Sequence, residues 1–147
     1  STTRETKTGL IYAADWVGQL WVFDVKTERA TVVGSLNIGP KTYITSLALD
    51  PTERYLYYSA GAHGGARGEG TPIMQYDLKT KTRKVIVFLA PFYTAKYSYT
   101  PDGTYSTVLS DDGAILFNTW NGNRVGTKGY GDVVALTAIH LPASERP

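Results

Sequence analysis

A chain of 147 residues is about one domain long, and closed on itself it would bury roughly 68–70% of its unfolded surface. Hydrophobic residues make up 42% of it and charged residues 19%, with eleven tyrosines, which excludes a disordered tail and favours sheet-forming structure. The net charge of +2 comes from 15 basic and 13 acidic residues mixed along the chain, and no run of Lys or Arg is long enough to track a phosphate backbone, so nucleic acid is not an expected partner.

With no cysteine, disulfides and thiolate metal sites are both excluded. The compartment stays open, because many exported bacterial proteins also lack cysteine; the expectation leans to an extracytoplasmic one, periplasmic or secreted. Apolar stretches such as Val85 to Pro91 are far shorter than the ~20 residues of a membrane-spanning helix, so no membrane insertion is expected. Ser1 to Thr8 has no apolar signal-peptide core, and a start at Ser1 is expected of a processed product.

In chain order, the first unit has strand patterns at Leu10 to Ala14, Gln19 to Thr27 and Ala30 to Val33, with a turn at Trp16-Val17-Gly18. The second has strands at Ile44 to Leu49, Tyr55 to Ser59, Pro72 to Leu78 and Lys84 to Leu89, with turns at Asp50-Pro51-Thr52-Glu53 and Lys79 to Thr82. The third has strands at Tyr105 to Leu109, Ala114 to Thr119 and Val133 to Leu141, with a turn at Ser110 to Gly113. The tail from Leu141 to Pro147 reads as polar. Asp24 and Asp77 each stand before a turn and are expected to bond nearby backbone rather than act chemically.

The units repeat. Leu20-Trp21-Val22-Phe23-Asp24-Val25-Lys26-Thr27 matches Ile73-Met74-Gln75-Tyr76-Asp77-Leu78-Lys79-Thr80 at an offset of 53 residues. Leu49 to Tyr57 matches Leu109 to Phe117 at an offset of 60. On these pieces the chain resembles the β-propeller superfamily, closer to bacterial six- and seven-bladed propellers of the YVTN-like and gluconolactonase-like kinds than to WD40 repeats. The resemblance implies an all-β fold of about three four-stranded blades, at about residues 9–36, 43–90 and 104–142 of a single partial domain. With strands labelled A to D from the axis outward, the units read BCD, ABCD and ABC. Three sheets leave open edges, so the expected partner is another chain or a missing segment that completes the propeller, the present chain being its C-terminal portion.

In a propeller the B-to-C and D-to-A connections share one face, which in the families it resembles usually carries the binding site. Ser59 to Thr71 is longer than a hairpin needs and holds five glycines with His63, Arg67 and Glu69. It lacks the Gly-Lys-Ser/Thr ending of a phosphate-binding loop. Trp120 to Asp132, read as a polar loop, offers Trp120, Asn121, Arg124 and Tyr130, flat and bidentate groups that suit sugars, carboxylates or a protein partner. The connection Ala90 to Thr100 adds Tyr93 and Lys96, and Asp15, Trp16, Lys41 and Tyr43 extend the rim. Each of these side chains also has a structural reading: packing between blades for the aromatics, and a solvated pair for Arg67 and Glu69.

These residues favour a binding or scaffold module whose loop face contacts a partner protein or a small polar ligand, with no cofactor. The alternative is a metal-dependent, lactonase-like hydrolase or a lyase with His63, Arg67 and Glu69 near the chemistry. A divalent ion held by Asp15, Glu69, Asn121 and Asp132 from adjacent blades would fit that alternative. No catalytic residue is singled out.

Overall fold

Alternating apolar residues and Asp-rich turns build three antiparallel sheets, each a meander of consecutive strands. The computed structural model describes residues 1–62, 65–127 and 133–146. The first sheet holds β1 (Leu10–Ala14), β2 (Gln19–Asp24) and β3 (Arg29–Ser35). The second holds β4 (Ala48–Leu49), β5 (Tyr55–Tyr58), β6 (Pro72–Asp77) and β7 (Thr82–Phe88). A helix, α1 (Leu89–Tyr97), leads to the third, made of β8 (Tyr99–Leu109), β9 (Ile115–Arg124) and β10 (Val133–His140). This is the all-β, blade-by-blade architecture that the repeats imply.

The 53-residue repeat is reproduced in the hydrogen-bond ladder. Between β2 and β3 the register skips Val33, and between β6 and β7 it skips Ile86, so the same bulge recurs 53 residues later. A bulge leaves one residue unpaired and increases local twist. The Asp at the end of each middle strand closes the next turn: Asp24 accepts from the Lys26 N–H at 2.8 Å, and Asp77 from the Lys79 N–H at 2.8 Å.

One blade is fuller than its sequence pattern indicated. The N-terminal residues lie along β1 as an abbreviated inner strand: Thr2 bridges Ala13, the Thr3 N–H donates to the Tyr12 carbonyl at 2.8 Å, and the Ala14 N–H donates to the Ser1 carbonyl at 2.9 Å. The first sheet thus gains the position that the reading BCD left open. Thr, Thr and Arg carry no hydrophobic alternation, so only the adjacent edge of β1 makes this segment extended.

Two apolar layers hold the sheets together. Leu20, Leu36, Leu56, Tyr58, Met74 and Tyr76 pack between the first and second sheets; Tyr57, Ile73, Leu89, Leu116, Trp120 and Leu141 pack between the second and third. In β5, Leu56 and Tyr58 go to one layer and Tyr57 to the other, so the inner strands β4, β5 and β6 of the middle sheet are buried on both faces, while β7 is largely exposed. Each fully buried large side chain contributes about 1.5–3 kcal/mol. The end sheets turn apolar side chains outward, including Val32 at 51% exposure on the first and Val134 and Leu136 at 73% and 70% on the third.

The tail folds back. After β10 a short 3-10 turn at Ala143–Glu145 places the Glu145 carbonyl against the Tyr57 hydroxyl at 2.9 Å and the Gln75 side-chain amide at 2.7 Å, and the Glu145 carboxylate pairs with Lys84. At the same end Arg54 grips Asp77 with two N–H groups, at 2.7 and 3.3 Å. The Arg54 guanidinium holds the Asp77 carboxyl well below the usual carboxylate range, at about 2. A depressed folded-state pKa adds stability that is fully present above the unfolded carboxylate pKa of about 4 and is lost as pH falls through about 2. Replacing Arg54 with Ala is expected to raise the Asp77 pKa towards an ordinary carboxylate value and to start acid destabilisation at higher pH, measured by carboxyl-carbon NMR titration.

Two connections differ from their sequence reading. Residues 89–97 are helix rather than loop: Leu89, Ala90 and Ala95 suit a helix, Pro91 falls in the first turn where its missing N–H costs no bond, and Ser98 at φ 52° ends it. β9 runs on to Arg124, five residues past the expected end at Thr119, because β8 begins at Tyr99 and offers it a partner along that length.

Candidate functional site

In an antiparallel meander alternate connections lie at the same end. The β1–β2 turn, residues 36–47, the 59–71 loop, α1 and the end of β9 therefore share one end of the sheets, as the resemblance implied. Turn chemistry makes the first of these rigid. The Asp15 carboxylate accepts from the Val17 N–H at 3.0 Å, the Gln19 N–H at 2.8 Å and the Trp21 indole N–H at 2.9 Å. Partial burial opposes ionisation of Asp15, but these donors prevail and hold its carboxyl below the usual range.

Gly18 takes φ 75° against Asn37, where a Cβ would come within 1.6 Å of the Asn37 side-chain oxygen. The Asn37 amide donates to the Val17 carbonyl at 3.1 Å, and the Thr42 hydroxyl donates to the Trp16 carbonyl at 3.3 Å. Held in this way, the Trp16 ring is 77% exposed. The neighbouring Tyr43 is 43% exposed, and its carbonyl accepts from the Gly61 and Ala62 N–H groups of the glycine-rich loop. Hydrogen bonds thus tie the Trp16 turn to Thr42, and Tyr43 to the glycine-rich loop beneath it at the buried Gly61.

The glycine-rich loop makes a 3-10 turn at Ala66–Glu69. Arg67 is half-exposed, with its Nε 3.8 Å from an Asp102 carboxylate oxygen, and Asp102 is fully buried. Glu69 lies beside Gly39, and Lys41 beside Gly68. Asp102 has no place in the sequence expectations. In the structure it is the extra residue of a bulge in β8, covered by the loop above it. Hydroxyl groups continue inward: Ser46 donates to Thr107 at 2.7 Å, the Asn118 amide donates to Thr107 at 2.8 Å, and Thr45 donates to the Thr104 carbonyl.

Trp120 and Asn121 are corrections. Both lie within β9, paired with Ala135 and Val134 of β10. Trp120 is 1% exposed, with its indole N–H 2.8 Å from the Thr137 hydroxyl, so it packs between sheets rather than facing a ligand. Gly122 makes this possible, since a Cβ there would lie 2.3 Å from the Tyr99 ring. Arg124 ends β9 and is exposed, Tyr93 is half-buried on α1, and Lys96 lies over the rings of Phe92 and Tyr97 at 5.4 and 5.3 Å. His63, Tyr130 and Asp132 lie outside the described residues. Among the described residues no three His, Asp or Glu side chains come together, and the Asp15 carboxylate is already bonded to its own turn.

Two spaces adjoin this framework. Arg4, Leu47–Leu49 and Thr107–Asp111 line a cavity of about 480 Å³ where the innermost segments of the three sheets converge. Tyr93, Tyr97, Tyr99, Arg124 and, from β10, Val133 and Ala135 to Ala138 line a groove of about 670 Å³. Among the described residues of the loop end the exposed charges are Arg67, Lys96 and Arg124, with Lys41, Asp15 and Glu69 partly buried and Arg67 beside Asp102. Such an end can recognise apolar and anionic surfaces through stacking and charge.

No known protein-family profile and no curated protein matches this chain. Solved structures do. The nidogen/laminin complex superposes with a TM-score of 0.60 at 14% identity over 95% of this chain and 43% of the other. The β-propeller domain of Myceliophteria thermophila Cps50 (Swd1) gives 0.55 at 14% identity over 94% and 38%. A Bacteroides thetaiotaomicron protein of unknown function gives 0.58 at 18% identity over 82% and 28%. These likenesses show a β-propeller fold, of which this chain spans less than half the length of any of the three.

Proposed function

We propose that the chain is a section of a β-propeller that serves as a binding scaffold, presenting its loop end to a partner protein or a small polar ligand of anionic character. The observation that carries this reading is Trp16, an indole 77% exposed on a turn fixed by Asp15, Gly18 and Asn37. A large aromatic exposed on a turn whose backbone is fixed adds no packing to the fold, and the fixed backbone spares a partner the cost of ordering the turn when it covers the ring. Tyr43 adjoins it, and Lys41 and Arg67 supply positive charge at the same end. The propeller is completed by another chain or by segments beyond these residues, which cover the apolar outer faces of the first and third sheets.

The test is quantitative affinity capture and ligand titration with the natural protein against Trp16→Ala and Trp16→Ala/Arg67→Ala. Stability is expected to stay within about 0.5 kcal/mol of wild type for Trp16→Ala, while partner or ligand binding falls by about tenfold or more. Full binding by the double variant would place recognition elsewhere.

A further inference from the structure

We propose that the layer between the second and third sheets contains a built site for a single water molecule, held by Ser59, Thr107 and Asn118, which keys the two sheets to one another. The inference uses neither the Trp16 surface nor the way the propeller is completed, because all of its residues lie between two sheets that already face each other.

Strand alternation brings four short polar side chains to this layer. Tyr58 and Ala60 flank Ser59 and go to the layer between the first and second sheets, which turns Ser59 the opposite way, towards the third. Asn118 lies midway between Leu116 and Trp120, both packed in the layer between the second and third sheets, and Thr107 is its direct partner across β8 and β9. Ser46 reaches across from the second sheet to Thr107, and extending the β4–β5 register, in which Ala48 pairs with Tyr57, sets Ser46 opposite Ser59. Ser59, Thr107 and Asn118 are 3%, 7% and 0% exposed.

The bonds made among these groups leave a definite remainder. The Ser46 hydroxyl donates to the Thr107 hydroxyl at 2.7 Å, and the Asn118 side-chain amide donates to the same oxygen at 2.8 Å. With both lone pairs taken, Thr107 still has its own O–H to give. The Ser59 hydroxyl and the Asn118 Oδ1 have no hydrogen-bond partner among the described residues. Turning the Asn118 amide over would only exchange an unpaired acceptor for an unpaired donor.

Two hydroxyl donors and one carbonyl acceptor match water, which accepts from the first and donates to the second. That is about the three bonds a buried water usually makes. Buried polar atoms that give up solvent without a new partner lose those bonds with no return. None of the four side chains is charged, so the set suits a neutral molecule rather than an ion. Thr107 also lines the cavity of about 480 Å³ at the inner ends of the sheets, which gives the water a route of exchange. Bridging β5 to β8 and β9, the water fixes an alignment that apolar contacts alone leave unspecified.

The test is water NOE and ROE spectroscopy on the isotope-labelled 147-residue chain, with oxygen-17 relaxation dispersion, for wild type, Ser59→Ala and Ser59→Val. Contacts of a long-lived water are expected at the Asn118 side-chain amide and the Ser59 β-protons. Ser59→Ala removes one partner and adds no volume, so the contact at Asn118 should persist with water exchange about tenfold faster. Ser59→Val fills the space with methyl groups, and the number of long-lived waters should fall by about one. Absence of a water contact at the Asn118 amide in the wild type would overturn the inference whether or not the variants fold. A folded Ser59→Val that keeps the wild-type contact and dispersion would do the same. A high-resolution crystal structure of the wild type decides independently: water within hydrogen-bond distance of Ser59 Oγ and Asn118 Oδ1 supports the site, and a direct Ser59–Asn118 bond removes it.

Discussion

Trp120→Ala is expected to cost about 3–5 kcal/mol, the range for truncating a buried aromatic. That is a large share of the about 5–15 kcal/mol that separates folded from unfolded domains. The indole fills the layer between the second and third sheets at 1% exposure, and its N–H is bonded to the Thr137 hydroxyl at 2.8 Å. Alanine leaves a cavity and a buried hydroxyl without its donor. For a chain of this size the melting temperature should fall by roughly 10 °C, read by thermal circular dichroism or calorimetry. Trp120→Phe should cost less, since it keeps most of the packing and loses the hydrogen bond. An unchanged melting temperature in Trp120→Ala would mean that β9 ends at Thr119 and that the indole faces the loop end.

Asp50→Ala should be nearly as damaging, at about 3 kcal/mol. Asp50 is 1% exposed, and its carboxylate accepts from the Thr52 and Arg54 N–H groups, each at 2.7 Å, as well as from the Thr52 hydroxyl and the Tyr55 N–H. Alanine strands those donors inside the β4–β5 turn. Urea denaturation gives the magnitude, and faster amide exchange at Arg54 and Tyr55 would locate the damage. The same device recurs 60 residues later with a weaker acceptor: the Ser110 hydroxyl accepts from the Ala114 N–H at 3.1 Å and the Ile115 N–H at 2.9 Å. Ser110→Ala should therefore cost only about 1 kcal/mol, an asymmetry that follows from neutral against ionised acceptors.

Both repeats seen in the sequence thus correspond to recurring physical devices. The 60-residue offset is an Asp50 or Ser110 side chain closing a turn, and the 53-residue offset is an Asp24 or Asp77 side chain closing one, beside a bulged outer strand. Side-chain bonds to backbone two to five residues away are local, which is why turn positions were legible. The bulges at Val33 and Ile86 were not, because β-branched alternation looks the same with or without an unpaired residue.

For the candidate site, the loop-face reading implied by the resemblance put Trp16, Lys41, Tyr43, Arg67, Glu69, Tyr93, Lys96 and Arg124 at one end of the sheets. It misplaced Trp120 and Asn121, since Asn-Gly composition reads as a turn, whereas the long partner strand β8 draws these residues into the ladder. It passed over Asp102 because burial of that carboxylate depends on a loop more than thirty residues earlier in the chain.

By itself, then, the sequence determined most of the strands, the turns that separate them and their repetition, consequences of period-two alternation and short-range hydrogen bonding, while their grouping into blades was implied by the resemblance. Only the tertiary structure decided which strands extend, that the N-terminal residues line β1, that α1 walls a groove beside β10, and which aromatics face water. Those outcomes depend on edges and layers contributed by distant segments, and an unpaired backbone edge or a buried face exists only once the partners have come together.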